Sequence, residues 1–215
     1  MSLLKKVFTD GRLAVIVVAV ILLVDQIIKI WVKTNMCLHE SIRITSWFYI
    51  NYIENMGMAF GMHLGSKIIL SVFRVVAIAV LIYFIWKQVK AHARTSYVLC
   101  LSMVLGGAIG NLIDCMFYGL IFNASSPYYL SYFVSFGTGY APFLMGKVVD
   151  MFYFPLIETE WPDWMPIIGG NHFVFFSPVF NFADACISVG VVLLLLFFRK
   201  EISEITFKQE AKEET

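Results

Sequence analysis

Residues 13–32 read LAVIVVAVILLVDQIIKIWV. About 20 residues at about 1.5 Å of rise each match the roughly 30 Å hydrocarbon core of a bilayer. Three further stretches, roughly 68–86, 97–116 and 180–198, have the same make-up. The composition agrees: the 215-residue chain is 60% hydrophobic and 14% charged, with a mean hydropathy of +0.79. Soluble domains run at roughly half apolar and a quarter charged, so a soluble globular enzyme and a disordered chain are both excluded. A net charge of +1 leaves no basic footprint for nucleic acid. The four cysteines, Cys37, Cys100, Cys115 and Cys186, include no CxxC pair, so neither a zinc knuckle nor a disulfide framework is indicated.

The sequence therefore predicts a mainly α membrane protein, a single integral membrane domain over residues 1–215 with four transmembrane helices. The first stretch is long, carries Asp25 and Lys29, and is followed by no small-residue cleavage site, so it is expected to be a retained span rather than a signal peptide. Lysine and arginine set the orientation. Lys5, Lys6 and Arg12 precede span one, Lys87, Lys90 and Arg94 separate spans two and three, and Arg199, Lys200, Lys208 and Lys212 follow span four. The opposite loops hold only Arg43, Lys67 and Lys147 clear of the helix ends, so both termini are expected in the cytoplasm. Two outer segments remain. In 35–67, the stretch SIRITSWFYINY at 41–52 suggests short strands at the membrane surface. Segment 117–179 carries Tyr118, Tyr128, Tyr129, Tyr132, Tyr140, Tyr153, Trp161 and Trp164 and is expected to be an extended aromatic-rich loop at headgroup level.

Ionisable residues inside membrane spans are costly and by default mark function. Counted from the cytoplasmic ends, Asp25 lies about 20 Å into span one, Asp114 about 26 Å into span three and Asp184 about 22 Å into span four. All three fall toward the outer leaflet, in one layer with Lys29, Asn111 and Asn181, and Asp150 enters from the outer loop within GKVVDMFYF. Structural roles compete with functional ones. Asp25 and Lys29 are spaced i, i+4 and can simply neutralise each other; Asp114 can brace a helix end and Asn111 can bridge helices. Asp150 and Asp184 are acidic, flanked by apolar residues and without an immediately adjacent basic residue. Two buried carboxylates brought together share a proton, and that is what general acid/base attack of water on an amide requires. The YD and GxGD signatures of presenilin-type proteases are lacking, so an intramembrane aspartic protease of another class is indicated.

Five blocks carry a resemblance: DQIIK at 25–29, NMGMAF at 55–60, GGAIGNLID at 106–114, VVDMF at 148–152 and FNFADA at 180–185. In this order on a four-span chain, they resemble the lipoprotein signal peptidase (signal peptidase II) family over about residues 13–198. The resemblance implies an aspartic endopeptidase of the bacterial cytoplasmic (inner) membrane, its site toward the outer leaflet. It would cut diacylglyceryl-modified prolipoproteins immediately before the lipidated cysteine, with Asp150 and Asp184 catalytic. Asn55, Gly57, Asn111, Asp114 and Asn181 would line and brace the site, with Asp25 and Lys29 in support. No metal and no cofactor are expected; the expected partners are prolipoprotein and membrane lipid, and the expected state is a monomer.

Two departures stand out. The family commonly has arginine after the GNxxD aspartate, where this chain has Cys115, with Arg74 as a candidate substitute. The intervals 114–150 and 150–184 are also longer than usual. The main rival is a non-enzymatic transporter or proton/cation pathway through the carboxylates, against which the acidic groups crowd one leaflet and no inverted repeat is present. Other hydrolase classes lack their signatures: His39, His63, His92 and His172 are isolated, and neither HExxH nor GxSxG occurs.

Overall fold

The structure is a computed structural model that describes residues 3–56 and 67–203. The four apolar stretches fold as helices: α1 (Leu3–Asn35), α2 (Lys67–Lys90), α3 (Thr95–Ile121) and α4 (Phe182–Phe197). The first three are long and apolar enough to cross a membrane; α4 is apolar and 16 residues long. Val15 and Leu23 on α1, Phe73 and Val80 on α2, and Leu195 to Phe197 on α4 stay uncovered. Apolar surface on this scale suits lipid rather than water.

The third helix runs past the expected end at 116, through a π turn over Asp114–Tyr118, to Ile121. The wider turn buries Asp114, Cys115 and Tyr118 together. Such bulges recur at functional sites because they re-aim side chains that a regular helix would spread around its circumference.

The chain divides into two compact units. The first draws its described residues from Met1–Val24, Phe73–Gly110 and Ala183–Thr215, the second from Asp25–Val72 and Asn111–Phe182. In the first unit, α3 and α4 approach backbone to backbone: a Cβ on Gly107 would collide with the Ala183 carbonyl oxygen and stand 2.7 Å from Ile187. Small residues permit that approach where the hydrophobic effect gives no drive between helices. Tyr97 packs on Phe198, ring centroids 5.5 Å apart, and Thr95 donates a hydrogen bond to buried Asp10.

The second unit is built on an antiparallel sheet of order β1–β2–β3–β6, comprising Ser41–Arg43, Tyr49–Asn55, Val148–Tyr153 and Val179–Phe180. A separate antiparallel pair joins β4 (Ile157–Glu160) to β5 (His172–Phe175). Strands within 41–52 agree with the sequence pattern, whereas the expectation of an extended loop over 117–179 is corrected by four strands that lie in or at the end of it. VVDMFY is largely buried, so apart from Asp150 it reads as an apolar run without the alternation that reveals a half-exposed strand. Its pairing also satisfies the backbone groups that β2 would otherwise leave open at an edge.

The core of this unit is Val32 of α1, Met36 just past its end, Tyr52 of β2, Tyr118 and Phe122 at the end of α3, and Val149 and Met151 of β3. Between α3 and β3 runs a long connector, residues 122–147. Its Val134, Gly137 and Tyr140 N–H groups donate to the Ile121, Leu120 and Phe122 carbonyls at 2.9–3.0 Å, while Tyr128 and Phe136 face outward. The connector returns close to the π turn. Gly146 donates to the Cys115 carbonyl at 2.8 Å, and a Cβ there would strike the Asp114 carbonyl oxygen, so only glycine fits.

Candidate active site

Asp25, Lys29 and Lys33 recur every four residues on one face of α1, and all three are fully buried. Lys29 Nζ lies 2.8 Å from Asp25 Oδ2, 2.8 Å from Asp114 Oδ2 and 2.9 Å from Asn111 Oδ1. Gln26 Nε2 donates to Asp114 Oδ1 at 2.9 Å and to Asp25 Oδ2 at 3.1 Å, and the Tyr118 hydroxyl holds Gln26 from the π turn. Ion pairs taken out of water survive only when the remaining lone pairs are also satisfied, and here one ammonium and one amide serve two carboxylates.

From this cluster a line of amides leads outward. Asn181 Nδ2 donates to Asn111 Oδ1 at 3.1 Å and to Asp150 Oδ1 at 2.6 Å, and Asn55 Nδ2 donates to Asp150 Oδ2 at 3.2 Å. The Asp150 carboxyl, 3% exposed, is thus gripped on both oxygens by amide donors, one from β2 and one from the residue that precedes α4. Asparagine is suited to such a line because it donates and accepts at once, so it relays orientation from a charged anchor without adding charge.

The described residues singled out in sequence as supports, Asp25, Lys29, Asn55, Asn111, Asp114 and Asn181, all stand with Asp150 in this one hydrogen-bonded series. Gly57 lies outside the described residues. Asp184 belongs to the first unit, in the first turn of α4, where it is partly buried. Cys115, in the place of the family's arginine, is fully buried.

A second polar cluster is one that sequence reasoning misses. Glu54 lies with its side chain 3% exposed beside Asn55. Its Oε1 is 2.6 Å from Lys33 Nζ and accepts from Ser125 at 2.6 Å and Tyr52 at 3.0 Å; its Oε2 is 3.0 Å from Lys147 Nζ. Lys33 also donates to Tyr52 and Ser125, Ser125 meets Ser131 at 3.0 Å, and the Tyr140 hydroxyl accepts from the Lys147 backbone N–H at 2.7 Å. Burial pushes the Glu54 carboxyl up, but the Lys33 ammonium beside it and the hydrogen bonds of Lys33, Ser125 and Lys147 outweigh burial and hold it down at about 2. Burial, followed by the Glu54 charge, pushes the Tyr52 phenol well above the usual tyrosine range. The signal that could have found this cluster is the third member of the α1 series: Lys33 follows Lys29 by the interval that separates Lys29 from Asp25.

Residues 17–199 match the family model described as signal peptidase (SPase) II. A lipoprotein signal peptidase of Porphyromonas gingivalis is 50% identical over 195 residues, covering 90% of this chain and 86% of that one. One from Amoebophilus asiaticus is 36% identical over 218 residues, covering 98% and 86%. A bacterial membrane enzyme solved by the in meso method at 2.3 Å resolution shares the fold with a TM-score of 0.59 at 21% identity, over 89% of this chain and 90% of that one.

Proposed function

The chain belongs to the signal peptidase II family, and from that premise we propose that Asp150 and Asp184 are the acid/base pair with which this aspartic peptidase removes signal peptides from prolipoproteins. The cut falls immediately before the diacylglyceryl-modified cysteine. The observation that carries the reading is the double amide grip on Asp150 at the end of a series anchored on Lys29. Asp184 follows Asn181 by three residues, so the segment that holds Asp150 also leads directly into the helix that carries its partner.

Amide hydrogens on both oxygens suit a carboxylate, so Asp150 is the partner that takes a proton from water, and Asp184 carries the shared proton. The hydroxide equivalent adds to the scissile carbonyl carbon while the Asp184 proton moves to the carbonyl oxygen, giving a tetrahedral diol. Collapse breaks the C–N bond. The proton gained by Asp150 passes to the departing nitrogen and the diol returns the other to Asp184. The products are a signal peptide ending in a carboxylate and a lipidated cysteine with a free amine, and both aspartates regain their starting states.

The setting belongs to the same proposal: four spans with α4 as the fourth, both termini in the cytoplasm, the site toward the outer leaflet of the inner membrane, and a monomer. The exposed aromatics of the connector, Tyr128, Tyr132 and Phe136 among them, would rest at headgroup level where a lipid-bearing substrate arrives sideways. The ion-pathway alternative is not favoured, since Asp25 and Asp114 share one ammonium at 2.8 Å each and are occupied in holding structure.

Incubated in detergent with a diacylglyceryl-modified prolipoprotein, the protein should yield a single product whose mass places the new N-terminus at the lipidated cysteine, with the unlipidated precursor left whole. Equal cutting of both precursors, or a cut elsewhere, would refute the substrate assignment. For orientation, an impermeant maleimide applied to sealed cells should label Thr45→Cys and Met165→Cys but not Lys90→Cys. Labelling of the last from outside reverses the topology.

A further inference from the structure

We propose that Glu54 is a positioning residue for the peptidase reaction: it locks the register of β2 against β3 and thereby sets the Asn55 grip on Asp150. The inference rests on the reading of Asp150 as catalytic.

The register itself needs fixing. Ile50 pairs with Phe152 and Ile53 with Asp150, so three steps along β2 oppose two along β3 and one extra residue is bulged out between them. Beyond the bulge Glu54 pairs with Val149 and Asn55 with Val148. Side chains alternate along a strand, so Ile53, Asn55 and Asp150 share one face of the sheet while Glu54 and Val149 share the other. A slip of one residue would turn Asn55 away from Asp150. A strand with a bulge just upstream has such a slip within reach, because the extra residue can be absorbed and the alternation reset.

On the opposite face Glu54 meets donors from three parts of the chain at once. Lys33 comes from α1, Ser125 from the beginning of the connector, and Lys147 from the residue just before β3. With both oxygens engaged, sliding β2 in either direction breaks charge-assisted bonds in a buried setting, where an unpaired charge is expensive. Lys147 also ties the clamp to the head of the strand that carries Asp150. The connector, long for the family, is thereby joined through Ser125 and Lys147 to the residue that fixes the register and is not a passive insertion.

The test is a double-mutant cycle on kcat and KM in detergent with a lipidated prolipoprotein, using Glu54→Gln, Asn55→Ala and their combination, with Asp150→Asn alongside. Glutamine keeps the size and one acceptor but presents an amide NH2 where Lys33 or Lys147 needs an oxygen. Glu54→Gln should lower kcat about 30-fold, the order of effect expected when a reacting group is displaced by a fraction of an ångström to an ångström. KM should stay within about twofold, because substrate contacts are untouched. In the Asn55→Ala background the same change should cost less than about threefold more, since the contact it acts through is already gone.

Ser125→Ala and Lys147→Met, which each remove one donor, provide milder steps if Glu54→Gln fails to fold, and should give smaller kcat losses of the same non-additive kind. Full multiplication of the Glu54 and Asn55 losses, or a Glu54→Gln enzyme with parental kcat, overturns the inference while an inactive Asp150→Asn leaves the catalytic assignment standing. An active Asp150→Asn enzyme overturns both.

Discussion

Asp150→Asn and Asp184→Asn are each expected to abolish cleavage of a lipidated prolipoprotein while the protein still inserts and folds. Asparagine has the size of aspartate but neither takes a proton from water nor holds the one that polarises the carbonyl, so either change removes the whole acid/base unit. The expected loss is at least about 10³-fold in kcat, and the double variant should be no worse than either single one, because members of one unit do not contribute independently. In Asp150→Asn the fold should survive for a local reason. The amide introduced by Asp150→Asn would keep its oxygen toward Asn181, and Asn55 can turn its own amide by half a rotation to accept where it formerly donated. Asp114→Asn is the informative comparison, since Asp114 touches Lys29, Gln26 and the Val149 N–H but no part of the amide grip on Asp150, and should cost less activity. Near-parental turnover in Asp150→Asn or Asp184→Asn, measured as product by mass spectrometry, would end the assignment, as would an Asp114→Asn enzyme more damaged than either.

Features that rest on composition or on short motifs are legible in the sequence. A run such as 13–32 announces a membrane helix by length alone, and Asp25, Lys29, Asn111, Asp114, Asn181 and Asp150 stand out because polar groups in apolar runs have no inexpensive explanation. Features that depend on pairing at long range are not legible. Val148–Tyr153 is a strand because Tyr49–Asn55 lies beside it, and nothing within VVDMFY distinguishes a strand buried on both faces from a piece of buried helix. The π turn is equally silent, since Asp114 to Tyr118 has ordinary local propensities, and what favours the widened turn is the burial of three side chains at once. Glu54 is hidden for a third reason. Its surroundings, YINYIENMG, read as an exposed polar strand end, and the partners that bury it, Lys33, Ser125 and Lys147, lie 21, 71 and 93 residues away. The four-residue step from Lys29 to Lys33 holds the only local hint, and it shows that the face of α1 that carries Asp25 continues one turn farther, toward the sheet.

Lys29→Met is the substitution expected to damage stability most. Methionine matches the length of the lysine stem and keeps its apolar packing, so the variant isolates the ammonium. Without it, Asp25 and Asp114, both fully buried and both 2.8 Å from the same nitrogen, face each other across the Gln26 amide with their shared cation gone. Breaking a buried pair by removing one partner costs about 3–5 kcal/mol, because the buried charge left behind has lost its counter-ion. For a chain of this size that corresponds to a fall in melting temperature of about 10 °C. Exposure of Cys115, fully buried in the π turn beside Asp114, to a thiol-reactive dye during heating in detergent gives the readout. Activity should fall as well, since Asn111 loses the donor that fixes it for Asn181. Asp25→Asn leaves a balanced pair, Lys29 with Asp114, and should melt within about 3 °C of the parent, a change of about 1 kcal/mol. Combining Asp25→Asn, Lys29→Met and Asp114→Asn removes every charge and should recover most of the lost stability. A Lys29→Met protein that melts with the parent would mean that the two carboxylates do not need the ammonium, and a triple variant as unstable as Lys29→Met would mean that shape rather than charge governs this layer.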